Sequence, residues 1–144
     1  MAAGSLRVWA AVGALCCLTL LVGWWSKARC LADGWTDGEQ YLRWCYTDVY
    51  PLWYSERLDA GSVPYLDHPV EYPVLTGAQM WAAAAVAGRV ASERPAQAFF
   101  HVTAAVGAVA AVAVVALLAA VGLGPGRAAW WAGSPTLAAY AFMN

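Results

Sequence analysis

The chain has 144 residues, of which 62% are hydrophobic and only 12% charged. A soluble domain carries about 25% charged residues and at this size buries only about 70% of its unfolded surface, so an ordinary water-soluble fold is excluded. Aromatic residues make up 13% of the chain, which excludes disorder, and a net charge of −1 gives no general attraction to nucleic acid.

Nineteen uncharged residues, Val8 to Ser26, separate Arg7 from Lys27. At 1.5 Å per residue they suffice for a hydrocarbon core of about 30 Å. The run exceeds the roughly 7–15 residues of a signal-peptide core, and no small-x-small cleavage pattern follows it. Trp24-Trp25 reads as an interfacial aromatic anchor. Cys16 and Cys17, inside the run, read as small hydrophobes. A first span over 8–26 is expected.

Eight of the nine acids follow between residues 33 and 71, accompanied there by only Arg43 and Arg57. This is the pattern of a water-facing loop, 27–71, set between membrane segments. Trp35, Tyr41, Trp44, Tyr46, Tyr50, Trp53, Tyr54, Tyr65 and Tyr72 are interleaved with the carboxylates. Carboxylates accept from sugar hydroxyls and flat rings stack on sugar C–H faces, which is the chemistry of a carbohydrate site. The same aromatics equally suit headgroup anchoring. Thr47-Asp48-Val49-Tyr50-Pro51 opens a short amphipathic helix through Leu52, Trp53, Glu56, Arg57 and Ala60, ended by Gly61. Asp48 has two readings there, a helix N-cap or a general base held at the membrane surface. Glu56, on the same helix, is expected to be functionally silent.

Asp67-His68-Pro69-Val70-Glu71-Tyr72-Pro73 is expected to be extended, because each proline turns its predecessor away from helix. It sets Asp67, His68 and Glu71 at the mouth of the next span. Their spacing is not that of a metal site, and no metal is expected. Cys30 and Cys45 share the loop without a CxxC pattern and would pair as a disulfide in an oxidising compartment.

A second span is expected over 72–88, short and rich in alanine. A third is expected over 98–122, with a small-residue face of Ala104, Gly107, Ala108 and Ala111 for close packing. His101 within it reads as a packing or hydrogen-bonding residue. A fourth apolar segment, 128–144, follows the Gly-Leu-Gly-Pro-Gly breaker at 122–126. The expected fold is an all-α polytopic membrane protein, one unit over 1–144, with three complete transmembrane helices, a truncated fourth and a short amphipathic helix in the first outer loop.

Three runs carry a resemblance: Cys45-Tyr-Thr-Asp-Val-Tyr50, Leu58-Asp-Ala-Gly-Ser-Val-Pro-Tyr65 and Val70-Glu-Tyr-Pro-Val-Leu-Thr-Gly77. Together with Ser134-Pro-Thr-Leu-Ala-Ala-Tyr140 and the residues after it, they resemble the N-terminal part of glycosyltransferase family 87. That family consists of polytopic enzymes, typified by polyprenyl-phosphate-mannose-dependent α-mannosyltransferases. The resemblance implies a membrane-embedded glycosyltransferase that moves a hexose from a polyprenyl-phosphate donor to an extracytoplasmic glycan or glycolipid acceptor, with inversion. It implies Asp48 as catalytic base, with Asp67, His68, Glu71, Tyr50 and Tyr72 at the substrates, and an outside location for the loop. No cofactor is implied, since the lipid-phosphate sugar is itself a substrate. The expected partners are membrane lipid, that donor and the acceptor, with no nucleic acid. Members have about ten spans or more, so the chain is expected to be the N-terminal portion of a longer enzyme. The competing reading is a non-catalytic small integral membrane protein whose acidic aromatic loop binds a partner.

Overall fold

The computed structural model describes residues 3–32, 38–91 and 93–140. Among these the chain is helical, with α1 (Ala3–Ala28), α2 (Glu39–Leu42), α3 (Val49–Ser55), α4 (Val74–Val90), α5 (Pro95–Ala120), α6 (Pro125–Ala132) and α7 (Pro135–Tyr140). Asp33, Trp35 and Asp37 of the acidic loop, and residues 141–144 of the last apolar segment, lie outside the described residues. No strand occurs among those described, only an isolated bridge between Pro64 and His68.

Two helices are long and apolar enough to cross a membrane, Ser5–Ala28 of α1 and Pro95–Ala120 of α5. Their mean hydropathies are 2.0 and 2.6, yet only 22% and 17% of their most apolar windows are buried within the protein. A helix that is apolar all round and largely uncovered is matched to lipid rather than to a soluble core. Leu18, Leu21 and Val22 on α1, and Val109, Val112 and Leu117 on α5, show this outward apolar surface.

The two helices are antiparallel. The Trp24 indole N–H donates to His101 Nδ1 at 3.2 Å, and Gln97 Nε2 donates to the Leu31 carbonyl at 3.0 Å. Later residues of α1 therefore meet earlier residues of α5. Deeper in the pair, Val12, Cys16 and Leu20 pack with Ala104, Ala111 and Val115, so two of the four expected small-face positions, Ala104 and Ala111, are buried in this contact and Ala108 packs against it. The chain then returns through α6 and α7, which follow α1 in its own direction. A Cβ on Gly133 would lie 3.1 Å from Leu15 Cδ2, and one on Gly23 would lie 2.4 Å from the Ala138 carbonyl oxygen. Close backbone approach of this kind replaces the hydrophobic drive that lipid cannot supply. The segment expected as a single fourth helix is broken at Gly133-Ser134, where Pro135 restarts it as α7.

The antiparallel pairing bears on the placement of α4. The end of α1 and the start of α5 sit side by side, so the chain between them leaves and returns on one side. Tyr72, at the start of α4, is within electrostatic reach of Asp48 in the acidic loop. The end of α4 is joined to α5 by four residues, 91–94. The segment expected to cross over 72–88 forms a 17-residue helix that packs on α5 and, with α3 and the start of α5, makes a layer of its own.

That layer has its own core. Gly77, Met80, Ala83, Ala84 and Ala87 form one buried stripe of α4 at helical spacing. The last four of these join Val49, Leu52, Trp53, Leu58, Ala96, Phe99, Phe100 and the Cys30–Cys45 disulfide in one cluster. Trp53 and Phe99 meet with ring centroids 5.5 Å apart. Burying a large apolar side chain fully away from water contributes about 1.5–3 kcal/mol.

Gly77 is the tightest point of the layer. A Cβ there would lie 2.3 Å from Cε2 of Tyr65. The Tyr65 ring is pinned by its hydroxyl, which lies 2.6 Å from the Tyr72 carbonyl and 2.9 Å from that of Pro73. Gly77→Ala is expected to lower stability by about 1–3 kcal/mol, the usual range for overpacking. Adding Tyr65→Ala should remove most of that increment, and a double-mutant cycle by thermal unfolding in detergent checks it.

Candidate functional site in the acidic loop

The loop is built around the ends of α3. Asp48 occupies the N-cap position, and its carbonyl accepts from the Leu52 N–H at 3.0 Å. Its side chain makes no cap hydrogen bond. The Thr47 hydroxyl instead accepts from the Val49 N–H at 3.2 Å. The capping reading of Asp48 is therefore corrected: its backbone is in helical conformation, which turns the carboxylate away from the helix N–H groups. Asp48 Oδ1 takes the Tyr46 hydroxyl, and the Tyr46 ring stacks on Tyr41 with centroids 5.4 Å apart.

The amphipathic helix also ends earlier than expected. It stops at Ser55, Arg57 adopts a left-handed backbone (φ 53°), and a short 3₁₀ turn, Leu58–Ala60, leads to Gly61 at φ 77°. The break buries Leu58 in the core of the layer and swings Glu56 toward the next segment. There Glu56 Oε2 meets His68 Nε2 at 2.9 Å, with both side chains largely buried. His68 Nδ1 is buried without a hydrogen-bond partner. Glu56, expected to be silent, is thus a tie between α3 and the approach to α4.

The predicted residues separate into two groups. Asp48, Glu56 and Glu71 are within electrostatic reach of Tyr72: burial raises the Tyr72 pKa, and these charges raise it further. His68 reaches this cluster through Glu56. Asp67 does not, since its carboxylate turns back to accept from the Val63 N–H at 2.7 Å and closes the turn carrying Tyr65. Tyr50 packs edge-on to Tyr54 on α3. Among the described residues no three His, Cys, Asp or Glu side chains are grouped as a metal site requires.

The sequence offered Tyr46 and Tyr65 only as two of the nine loop aromatics, and gave Glu56 and Gly77 no site role. The contacts of Glu56 with His68 and of Gly77 with Tyr65 join residues twelve positions apart.

The hydroxyls near the carboxylates hold their protons tightly. The hydrogen bond to Asp48, then burial, pushes Tyr46 up to about 12. Burial, then the bond to Tyr54, does the same for Tyr50. An unfolded tyrosine ionises near pH 10, so the folded chain binds these protons more strongly. Their contribution to stability is full below about pH 10 and is lost as the pH rises toward 12. Ultraviolet titration of tyrosinate should show two late ionisations near pH 12 that move to about 10 in denaturant. Ionisation of all the tyrosines near 10 in the folded protein would contradict this placement.

Beneath the loop, α1 and α5 enclose an apolar groove of about 690 Å³. Cys17, Leu20, Leu21 and Trp24 line one wall, with His101, Ala104, Ala105 and Ala108 on the other. This groove is lined almost entirely by apolar side chains of two helices long enough to cross a membrane. No family model, curated protein or solved structure matches the chain.

Proposed function

We propose that the protein is a membrane-embedded glycosyltransferase, a mannosyltransferase by its resemblance to family 87, that takes a hexose from a polyprenyl-phosphate donor. The observation carrying this reading is the Asp48 carboxylate, which accepts the Tyr46 hydroxyl in an aromatic loop tied by the Cys30–Cys45 disulfide to the end of α1, a helix long and apolar enough to cross a membrane. A donor with a lipid tail cannot leave the bilayer, so its reacting carbon must be met at the membrane surface. Asp48 takes the proton of the acceptor hydroxyl, the oxygen attacks the anomeric carbon, and the lipid phosphate leaves from the opposite face with inversion. Glu71 and the face of Tyr72 position the sugars, and the groove accepts the first isoprene units. General-base assistance of this kind contributes about 10²–10⁴-fold in rate.

In this reading the protein is a multi-pass cell-membrane protein. α1 and α5 cross the bilayer, α6–α7 return along α1, and the 66 residues from 29 to 94 lie outside the cytoplasm. The disulfide between Cys30 and Cys45 favours an oxidising exterior. The basic residues of that segment do not oppose it, because segments longer than about 60 residues translocate largely regardless of charge. Membranes containing the protein, incubated with radiolabelled polyprenyl-phosphate-mannose, should transfer label to an endogenous glycan or glycolipid. Transfer no greater than in membranes lacking the protein would refute the proposal.

A further inference from the structure

At the outer end of α1 a second feature stands apart from the carboxylate cluster. The Arg29 guanidinium lies over the Trp25 ring, 5.1 Å from its centroid, and its Nη2 donates to the Arg43 carbonyl at 2.9 Å. Arg29, Leu42, Arg43 and Trp44 line a cavity of about 570 Å³. Leu42 is 79% exposed and Trp44 is 85% exposed, unusual values for large apolar side chains. Trp44 also holds a left-handed backbone (φ 56°), a conformation that non-glycine residues rarely adopt and that concentrates at functional positions. The disulfide fixes the height of this knuckle, because Cys45, the next residue, has its Cα 6.2 Å from that of Cys30.

The position relative to a bilayer follows from helix geometry. The uncharged run between Arg7 and Lys27, about the length that crosses the hydrocarbon core, ends at Ser26. Arg29 then stands about 4.5 Å above the hydrocarbon boundary, at 1.5 Å per residue. The headgroup layer is roughly 5–8 Å thick on each side, so Arg29 and the knuckle tied to it fall within it. A guanidinium beside indoles and a leucine matches that layer, with a cation for a lipid phosphate and apolar groups for the upper acyl chain.

We propose that the Arg29–Trp44 knuckle is a lipid-docking site, in which Leu42 and Trp44 enter the headgroup–acyl boundary while Arg29 holds a phospholipid phosphate. It anchors the acidic loop to the membrane at a fixed height, a role independent of sugar transfer. The continuity with α1 favours lipid over a protein partner, since any bilayer that α1 crosses must reach this level.

The test uses the whole protein in phosphatidylcholine nanodiscs, with Cys16 and Cys17 replaced by alanine and a spin label at Trp44→Cys. Leu42→Cys serves as a second site, and Asp59→Cys, on the exposed 3₁₀ turn, as the reference. Labels at 42 and 44 should collide with oxygen several-fold more, relative to a water-soluble nickel chelate, than the label at 59. Adding Arg29→Gln should shift the label at 44 toward the chelate. Equal chelate access at 44 and 59, or shielding of 42 and 44 from both reagents as in a protein contact, would overturn the proposal. The readout involves no donor or acceptor, so it stands or falls separately from glycosyl transfer.

Discussion

Asp48→Asn is expected to abolish sugar transfer while leaving the fold intact. The substitution removes the charge and the basicity but keeps an oxygen that can accept the Tyr46 hydroxyl, so the contact made by Oδ1 survives. No helix cap is lost, because the Asp48 side chain makes none. The loss should be about 10²–10⁴-fold in kcat, the range of general-base contributions, with little change in KM if Asp48 does not bind the acceptor in the ground state. Thermal unfolding should match the unsubstituted protein. Glu56→Gln is not a neutral control, because Glu56 holds His68 at 2.9 Å. Asp59→Asn, with its side chain in solvent, takes that place. Wild-type transfer by Asp48→Asn, measured in the same membranes as Asp59→Asn, would sink the base assignment.

The parts of this protein that were legible in its sequence are those written in local chemistry. Composition and the uncharged runs around Val8–Ser26 and Ala98–Gly122 marked the two helices suited to lipid, because transfer into hydrocarbon depends on each residue nearly additively. The stop at Gly133-Ser134 was locally encoded too, but it was read as part of a span, since Ser and Gly are tolerated within membrane helices. α4 has an alanine-rich sequence apolar enough for a short span, but at 17 residues it is shorter than α1 and α5. Its placement rests on the antiparallel register of α1 on α5, fixed by Trp24–His101 and Gln97–Leu31 across 77 and 66 residues of chain. Spacing rules cannot see a contact of that separation. The site divides in the same way. Asp48, Glu71 and Tyr72 stood out by residue type, whereas the Glu56–His68 tie required the helix to break at Arg57, a bend that no glycine or proline at that position announces.

Removing the disulfide should produce the largest loss of stability. Cys30 and Cys45 are fully buried, in the cluster that joins the end of α1 to α3, α4 and α5. Closing a loop of about 15 residues is worth about 3 kcal/mol in the chain-entropy treatment, which acts by restricting the unfolded chain. Cys30→Ala with Cys45→Ala should therefore lower the unfolding free energy in detergent by about that amount, with a small added cost for the cavity. The consequence reaches the site, because Tyr46 follows Cys45 directly and carries the hydroxyl that holds Asp48. Releasing Cys45 loosens the placement of that carboxylate, so transfer should fall more at high temperature than at low, as the layer melts before α1 and α5 separate. Thiol counting gives an independent check on the bond: unfolded, unreduced protein should expose two thiols, those of Cys16 and Cys17. Four reactive thiols would show the pair to be reduced, and would place the loop in a reducing compartment, on the cytoplasmic side of the membrane.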